Sequence, residues 1–297
     1  MEKPIDTNPR WGQARRLAFI DLRLQYDGRI NRRDLQEFFS ISIPQASADI
    51  ETYRRQAPDN IVYDPSRRQY LAGRQFTPCY GSPDAMAYLD ELYRIERGLM
   101  PRSDSFVGFV PPTGVVATPA RAISGTEVAI LIEAIEANDA LEIVYQSMSS
   151  KAPVTRTISP HALGFDGLRW HVRAWCHQRL AFRDFAIGRL SVVGSKPDTP
   201  KIDPTMDDGW QTFVDIILVP HPALSRSQRI TVTRDYGMTN DRLALPCRKA
   251  MLFYTLRHLN LHAASIADDP ATQHVIVENR QEVDAWMFED RALSPAP

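Results

Sequence analysis

Apolar residues recur at helical spacing through the first sixty residues of the chain. Between residues 9 and 26 they fall at Leu17, Ile20 and Leu24, which is the three- to four-residue period of one helix face. An Asp-Gly turn follows and ends this segment. The pattern therefore predicts a first helix that buries one face.

Polar capping residues mark the start of two more helices. Asn31 precedes a short segment with Leu35 and Phe38 on its inner side. Ser42 precedes a longer segment with Pro44 in the first turn, where the missing N–H of proline costs nothing. We therefore expect Asn31 and Ser42 to be the N-caps of the second and third helices.

A predicted β-hairpin follows the third helix. The short β-like runs IVY and QYL flank a turn of Asp64, Pro65 and Ser66. Helix, helix, turn, helix and hairpin is the order of a winged helix-turn-helix, a DNA-binding motif. We assign this domain to residues 1–80.

Two further helices are predicted in residues 81–139. Ser82 and Ser124 each precede an amphipathic segment, and the Pro/Gly-rich stretch between these segments predicts a linker. We assign residues 81–139 to a helical linker and dimerisation segment, although the apolar stripes of the helices fit packing within one chain equally well.

The pattern changes to short strands after residue 140. Four β-like runs in residues 140–193 predict a small barrel-like sheet. Residues 194–297 read as strands at VDIILVP, RITVTRDY and HVIVEN, with one helix at LPCRKAMLFYTLRHLN. The predicted fold class is therefore α+β multidomain, with a winged helix-turn-helix, a central small β-barrel and a C-terminal α+β dimerisation domain.

Charge is unevenly distributed along the chain, although the formal net charge is only −1. Residues 1–80 hold 13 Lys or Arg against 10 Asp or Glu, and residues 140–193 hold 7 against 3. The other two segments, 81–139 and 194–297, are acidic, with 4 against 9 and 11 against 14. This alternation indicates modules with separate tasks.

The third helix carries the side chains expected of a recognition helix. Ser42, Gln45 and Ser47 suit base edges in the major groove, and Gln45 can read adenine with two hydrogen bonds. Phosphate contacts are expected from the basic residues at the far end of the helix and at the hairpin tip, namely Arg54, Arg55, Arg67 and Arg68. The alternative is a plain three-helix module with solvated arginines.

A second set of cations lies on the predicted strands around residue 170. Because side chains alternate along a strand, Trp170, Val172 and Ala174 suit a core, while His171 and Arg173 belong to a cationic opposite face. Cations of neighbouring strands would then converge on an anion, which arginine forks match. The alternative is that the arginines point to water or pair with the three acids of the segment, Asp166, Asp184 and Glu142.

The runs RTISPHALGFDGLRWHVRAW and FRDFAIGRL resemble a WYL domain. The triplet that names the family stands here as Trp170-His171-Val172, so its tyrosine and leucine are replaced, and His171 keeps a polar ring that can carry charge. The order of domains is similar as well. The chain resembles the WYL regulators found beside bacterial anti-phage systems such as BREX and CBASS.

That resemblance implies a homodimeric transcriptional repressor with an Sm-like β-barrel that senses a nucleotide or nucleic-acid fragment. The implied partners are a double-stranded operator with an inverted repeat, an anionic small-molecule or oligonucleotide effector, and a second copy of the chain. By this match the ligand residues are Arg156, His171, Arg173, Arg183 and Arg189. We expect four more residues near the same pocket, namely Tyr145, Ser147, His161 and Phe185, although core packing suits Tyr145 better.

Other function classes leave little trace in the sequence. The chain has no apolar run of about 18 residues that would span a membrane, and its N-terminus lacks the apolar stretch of a signal peptide. Its three cysteines are far apart and odd in number, which favours a reducing cytoplasm. Nucleotide-binding, metalloprotease, hydrolase and Cys-x-x-Cys motifs are all missing. We therefore expect a cytoplasmic protein that is not an enzyme and needs no metal or cofactor.

Two functions remain open. The first is a ligand-responsive DNA-binding regulator. The alternative is a single-stranded nucleic-acid-binding modulatory subunit that controls a partner defence enzyme, with Trp170, Trp175 and Phe185 stacking on bases. Alanine at Gln45 and Ser47 separates them, because it abolishes operator binding in the first case and changes little in the second.

Overall fold

The structure is a computed structural model that describes residues 9–81, 85–262 and 269–292, with side chains for 12–81, 85–262 and 269–287. The chain divides into two compact units, residues 1–117 and 118–297. Among the described residues, none of the helices combines the length and the apolar character that a membrane crossing requires.

Three helices and a small antiparallel sheet build most of the first unit. The helices are α1 (Pro9–Leu22), α2 (Arg32–Phe39) and α3 (Ile43–Gln56). The strands are β1 (Arg29–Ile30), β2 (Ile61–Asp64) and β3 (Gln69–Ala72). Since β3 pairs with both β1 and β2, the hairpin and the first strand form the wing. The predicted winged helix-turn-helix is confirmed.

The predicted caps begin α2 and α3. Asn31 accepts hydrogen bonds from the backbone N–H groups of Arg33 and Asp34, and the Asp34 carboxylate accepts one from the backbone N–H of Asn31 at 2.7 Å. This reciprocal pair is a capping box, which satisfies N–H groups that have no partner inside the helix. The Ser42 hydroxyl accepts from the backbone N–H of Gln45 at 3.3 Å and caps α3.

Part of the predicted linker packs into the first unit. After helix α4 (Met86–Glu96), the Phe106 ring lies 5.2–6.0 Å from the rings of Phe19, Phe38 and Phe39, and Val107 is buried. The Glu91 carboxylate accepts hydrogen bonds from the Ser105 hydroxyl at 2.5 Å and from the backbone N–H of Phe106 at 3.1 Å. The predicted cap Ser82 lies outside the described residues.

A helix and a five-stranded antiparallel sheet open the second unit. Helix α5 (Gly125–Ala137) is capped by Ser124 as predicted. The strands are β4 (Leu141–Tyr145), β5 (Val154–Phe165), β6 (Trp170–Cys176), β7 (Ala181–Ala186) and β8 (Leu190–Ser195). They pair in the order β7-β6-β5-β4-β8, and a 3₁₀ turn at Ile187–Arg189 joins the two edge strands.

The long strand β5 lets the sheet change direction. Residues 154–158 of β5 pair with β4, and residues 158–165 pair with β6. The register shifts between Pro160 and Ala162, which is where a bulge bends a strand. The apolar core under the sheet includes Leu131 of α5 together with Ile143 and Val172.

An α+β domain completes the second unit. Its helices are α6 (Asp208–Gln211), α7 (Arg226–Asp235), α8 (Leu252–His258) and α9 (Arg280–Ala292). Its strands are β9 (Phe213–Pro220), β10 (Leu243–Arg248) and β11 (Val275–Val277), paired in the order β10-β9-β11. The strands predicted at VDIILVP and HVIVEN are confirmed, and with them the α+β class.

The strand predicted at RITVTRDY is wrong, because this run lies in helix α7. Its β-branched residues favour a strand by propensity. However, the Ser225 hydroxyl accepts from the backbone N–H of Gln228 at 3.4 Å, and the Gln228 side chain accepts from the backbone N–H of Ser225 at 2.9 Å. This capping box starts a helix immediately before the β-branched run.

The single helix predicted at LPCRKAMLFYTLRHLN is also wrong. The run begins in strand β10, passes through a 3₁₀ turn at Lys249–Met251 and continues as the shorter helix α8. Pro246 lies opposite Asp215 on an edge strand, where a missing N–H is tolerated. Proline would have broken a helix at the same place.

Candidate functional site

Helix α3 exposes one face to solvent and buries the other. Ala46, Ile50 and Tyr53 are buried in the core of the first unit, whereas Gln45 is exposed and Ser47 is half-buried. The Ser42 hydroxyl is exposed, but it is engaged in capping the helix. Gln45 is therefore the polar side chain of the first two turns best placed to contact a base.

A buried ion pair beneath this face orients Gln45. Asp49 is buried and accepts hydrogen bonds from Arg16 Nε at 2.6 Å and from Gln45 Nε2 at 3.1 Å. The pair joins α1 to α3, and Asp49 holds the Gln45 carboxamide through this hydrogen bond. Sequence reasoning missed Asp49, although its position four residues after Gln45, among apolar neighbours of the inner face, was a usable signal.

The predicted phosphate contacts are all exposed. Three of the four arginines predicted to contact phosphates make contacts with neighbouring side chains. Arg54 lies 2.7 Å from Glu51, and Arg67 lies 3.9 Å from Asp64. Arg55 lies 3.3 Å from the Thr52 hydroxyl. Such surface pairs are worth about 0–1 kcal/mol, so the guanidinium groups can exchange them for phosphates at little cost.

The wing and α2 form a basic groove beside α3. Arg68 lines it together with side chains of α2 and the first residue of α3, in a cavity of about 900 Å³. The groove also contains Arg32 and Arg33, which were not predicted from the sequence. Both lie at the start of α2 and are exposed, so they add to the cationic side chains of this groove.

A basic cavity lies in the second unit, against the edge of the five-stranded sheet. Its volume is about 260 Å³. Six of the nine predicted ligand residues line it: Tyr145, Ser147, Arg156, Arg173, Arg183 and Phe185. Four further residues of the lining were missed, namely Arg179, Phe182, Asp184 and Tyr254. Tyr254 comes from α8, so the C-terminal domain contributes one wall.

Arg173 is not part of an open cationic surface, as the strand pattern predicted. It is 4% exposed, because the segment after β8 covers this face of β6. Its Nε and Nη2 donate to the two carboxylate oxygens of Asp207 at 2.8 and 3.0 Å, and its Nη1 donates to Asp184 at 3.3 Å. Burial alone would raise the pKa of Asp207, but hydrogen bonds from His161 and Arg173 outweigh it and lower that pKa to about 2.

The two predicted ligand histidines lie outside the cavity lining. His161 Nε2 is 2.8 Å from Asp207, and His171 Nε2 is 3.0 Å from Asp166. Burial alone would raise the pKa of Asp166, but the hydrogen bonds from His171 and from the backbone N–H groups of Leu168 and Arg169 together outweigh it and lower that pKa to about 2. Both histidines are therefore held by a carboxylate rather than presented to a ligand.

The remaining strand predictions have mixed outcomes. Arg189 lies on the 3₁₀ turn and does not line the cavity. Trp170 is 47% exposed at the start of β6, so its assignment to the core is wrong, whereas Val172 and Ala174 are buried as predicted. Phe185 lines the cavity but also belongs to the core, with its ring 5.0 Å from that of Tyr145.

The acids of this segment neutralise only some of its arginines. Asp166 pairs with Arg169 at 3.1 Å, and Glu142 pairs instead with Lys196 at 2.9 Å. Arg156 and Arg179 form no ion pair with any residue in the described part of the chain, and Arg156 Nε is buried without a hydrogen-bond acceptor. Arg156 is half-buried and Arg179 is exposed at the cavity. Neighbouring arginines without a counter-charge favour an anionic ligand, because guanidinium groups pair with phosphate or carboxylate oxygens.

A metal site is not visible in the parts of the chain that the structure describes, where no cluster of three or more His, Cys, Asp or Glu could hold an ion. The three cysteines are all free, with Cys176 and Cys247 buried and Cys79 exposed.

The winged helix of the first unit and the five-stranded sheet with its arginine-lined cavity in the second unit define the class of the protein. It is a transcriptional regulator with an N-terminal winged helix and a central WYL domain. Three family models match the chain. Residues 12–94 match the BrxR transcriptional regulator winged helix-turn-helix domain, residues 127–194 match the WYL domain, and residues 213–283 match the BrxR transcriptional regulator C-terminal dimerization domain.

The chain belongs to the CapW family of DNA-binding transcriptional repressors. It is 56% identical over 291 residues to the DNA-binding transcriptional repressor CapW of Stenotrophomonas maltophilia, covering 98% of this chain and 97% of that protein. CapW of Escherichia coli (strain KTE188) is 40% identical over 279 residues, covering 94% and 93%. CapW of Pseudomonas aeruginosa is 39% identical over 292 residues, covering 95% and 96%. The resemblance stated from the sequence is confirmed.

Proposed function

We propose that this protein is a ligand-responsive, homodimeric repressor that binds an inverted-repeat operator and releases it when an anion occupies the basic cavity. It acts in the cytoplasm as a regulator rather than as an enzyme. The observation that carries the sensing part is the cavity lining, where four arginines face a single carboxylate among the described lining residues.

DNA recognition is assigned to α3 and the wing. Gln45, held from below by Asp49, reads a base edge in the major groove, while Arg54, Arg55, Arg67 and Arg68 contact phosphates. One winged helix reads too few base pairs for high specificity. We therefore propose that a dimer binds two half-sites of the operator, and that these half-sites are spaced by whole turns of DNA, each of about 10 bp.

Dimerisation is assigned to the C-terminal domain, in line with the family model that matches residues 213–283. Helices α4 and α5 are further candidate surfaces, since each leaves apolar side chains exposed, such as Leu89 and Ile132.

The response to the effector follows from linkage. We propose that the anion binds more tightly to the DNA-free repressor than to the DNA-bound repressor. Bound DNA then weakens anion binding by a certain factor, and the bound anion weakens DNA binding by the same factor. The cavity suits a phosphate or carboxylate group of a nucleotide or oligonucleotide, because guanidinium groups donate paired hydrogen bonds to such oxygens.

Binding to the DNA upstream of the protein's own gene tests the proposal. Fluorescence anisotropy should show a clear preference for this duplex over a random one, with affinity that falls steeply as salt rises. Alanine at both Gln45 and Ser47 should remove the preference, and Lys201→Ala in the second unit should not. Equal affinity for both duplexes would refute operator recognition, and an unchanged preference in the double variant would favour DNA contact elsewhere.

A further inference from the structure

One acidic side chain, Asp184, lies within the basic cavity. It comes from β7, between Arg183 and Phe185, and it is the one carboxylate among the described residues of the lining. A carboxylate at this place opposes the entry of any anion, because like charges a few ångströms apart repel.

Asp184 is held from two sides. Its Oδ1 accepts from Arg173 Nη1 at 3.3 Å, and its Oδ2 accepts from the Tyr254 hydroxyl at 3.2 Å. Burial raises the pKa of the Tyr254 phenol well above its usual value, and Asp184 raises it further, so Tyr254 is a hydrogen-bond donor here. The carboxylate thus joins the sheet to helix α8.

Of the two carboxylates that pair with Arg173, Asp184 makes the weaker contact. Asp207 takes Nε and Nη2 in a bidentate pair at 2.8 and 3.0 Å, and its side chain is 2% exposed. Asp184 has the longer contact to Nη1 and a side chain that is 14% exposed. Arg173 therefore keeps a buried counter-charge in Asp207 if Asp184 moves away.

The wall on the other side of Asp184 is part of the C-terminal core. Helix α8, which carries Tyr254, buries Leu252 and Leu256 in the apolar cluster that includes Ile216 and Val283. A displacement of Tyr254 therefore changes the packing of the C-terminal domain, which matches the family model of a dimerization domain.

We propose that Asp184 is a built-in substitute for the effector: it occupies the place of an effector oxyanion at Arg173 Nη1, and the effector displaces it and breaks its hydrogen bond with Tyr254. The inference rests on the proposed function, since it concerns how the same cavity is regulated. The effector group is a phosphate or carboxylate, and α8 is the element that its arrival releases.

Phosphate binding to three full-length proteins tests the displacement. The proteins are the wild type, Asp184→Asn and the control Glu142→Gln, which removes a carboxylate of the same sheet outside the cavity. Isothermal titration with inorganic phosphate should give a dissociation constant about tenfold lower for Asp184→Asn than for the wild type, because one nearby negative charge is gone. Glu142→Gln should match the wild type.

Hydrogen exchange tests the release of α8. Phosphate should speed amide exchange in residues 252–258 of the wild type. In Tyr254→Phe, which lacks the hydroxyl that reaches Asp184, exchange should already be fast and should not respond to phosphate.

The outcomes separate this inference from the proposed function. If the wild type binds phosphate but Asp184→Asn binds it no more tightly than Glu142→Gln does, the displacement is refuted and the anion cavity stands. Unchanged exchange in α8 of a phosphate-bound wild type refutes the release. If no variant binds phosphate, both the cavity assignment and the displacement fall, while operator binding is judged separately by anisotropy.

Discussion

At the scale of single residues, the chemistry of the second unit depends on where carboxylates meet cations. Asp207 pairs with Arg173 and His161, Asp166 pairs with His171, and Asp184 shares Arg173 at the edge of the cavity. The strand pattern predicted that these cations come together. It could not predict which are neutralised, because Asp207 is 34 residues from Arg173 in sequence.

We predict that Asp207→Asn lowers the free energy of unfolding by about 3 kcal/mol at pH 7, because it leaves the buried Arg173 without its main counter-charge. The pKa of Asp207 is lowered from 3.8 to about 2, so its stabilisation is present above about pH 4 and is lost as pH falls through about 2. Urea unfolding should therefore show the two proteins converging between pH 4 and 2. Asp198→Asn, at an exposed site, should match the wild type throughout, and a constant gap would contradict the assignment.

At the scale of elements, capping residues explain the correctly predicted helix starts and one of the two wrongly predicted elements. Asn31, Ser42 and Ser124 predicted helix starts correctly because their hydrogen bonds are local. The capping box of Ser225 starts α7, although the β-branched residues that follow it predict a strand. The place of Tyr254 in the cavity could not be predicted, since it requires α8 to pack beside a sheet formed 70 residues earlier.

The docked segment after α4 gives an element-scale prediction. Phe106→Ala should lower the free energy of unfolding of the first unit by about 2 kcal/mol, because the ring packs against three phenylalanines but is only partly buried. Val116→Ala in the same segment should change it by less than about 0.5 kcal/mol, since Val116 is 86% exposed. Urea unfolding measures both, and equal effects would show that the segment is not docked.

The wing gives a second prediction at this scale. Arg67→Ala and Arg68→Ala should each lower the slope of log affinity against log salt by about 1, if each arginine neutralises one phosphate. Anisotropy titrations over a range of salt concentrations measure the slope. Lys201→Ala removes the same charge from the second unit and should leave the slope unchanged, whereas an unchanged slope in the wing variants would exclude the phosphate contacts.

At the scale of the whole molecule, the protein combines a DNA-reading unit with a unit that holds a basic cavity and a dimerization-type domain. The sequence predicted these classes of module because each has a local signature: caps and a hairpin in the first, and the WYL run in the second. The compact first unit extends to residue 117, and Phe106 packs with the core of the winged helix despite its Pro/Gly-rich surroundings.

The most direct test of the account is whether an anion in the cavity controls DNA affinity. Operator binding should be measured by anisotropy in phosphate and in chloride at equal ionic strength, for the wild type and for Arg156→Ala/Arg179→Ala. The account predicts a weaker wild-type complex in phosphate and no difference between the salts for the double variant. Equal wild-type affinity in both salts, or the same loss in the double variant, would contradict it.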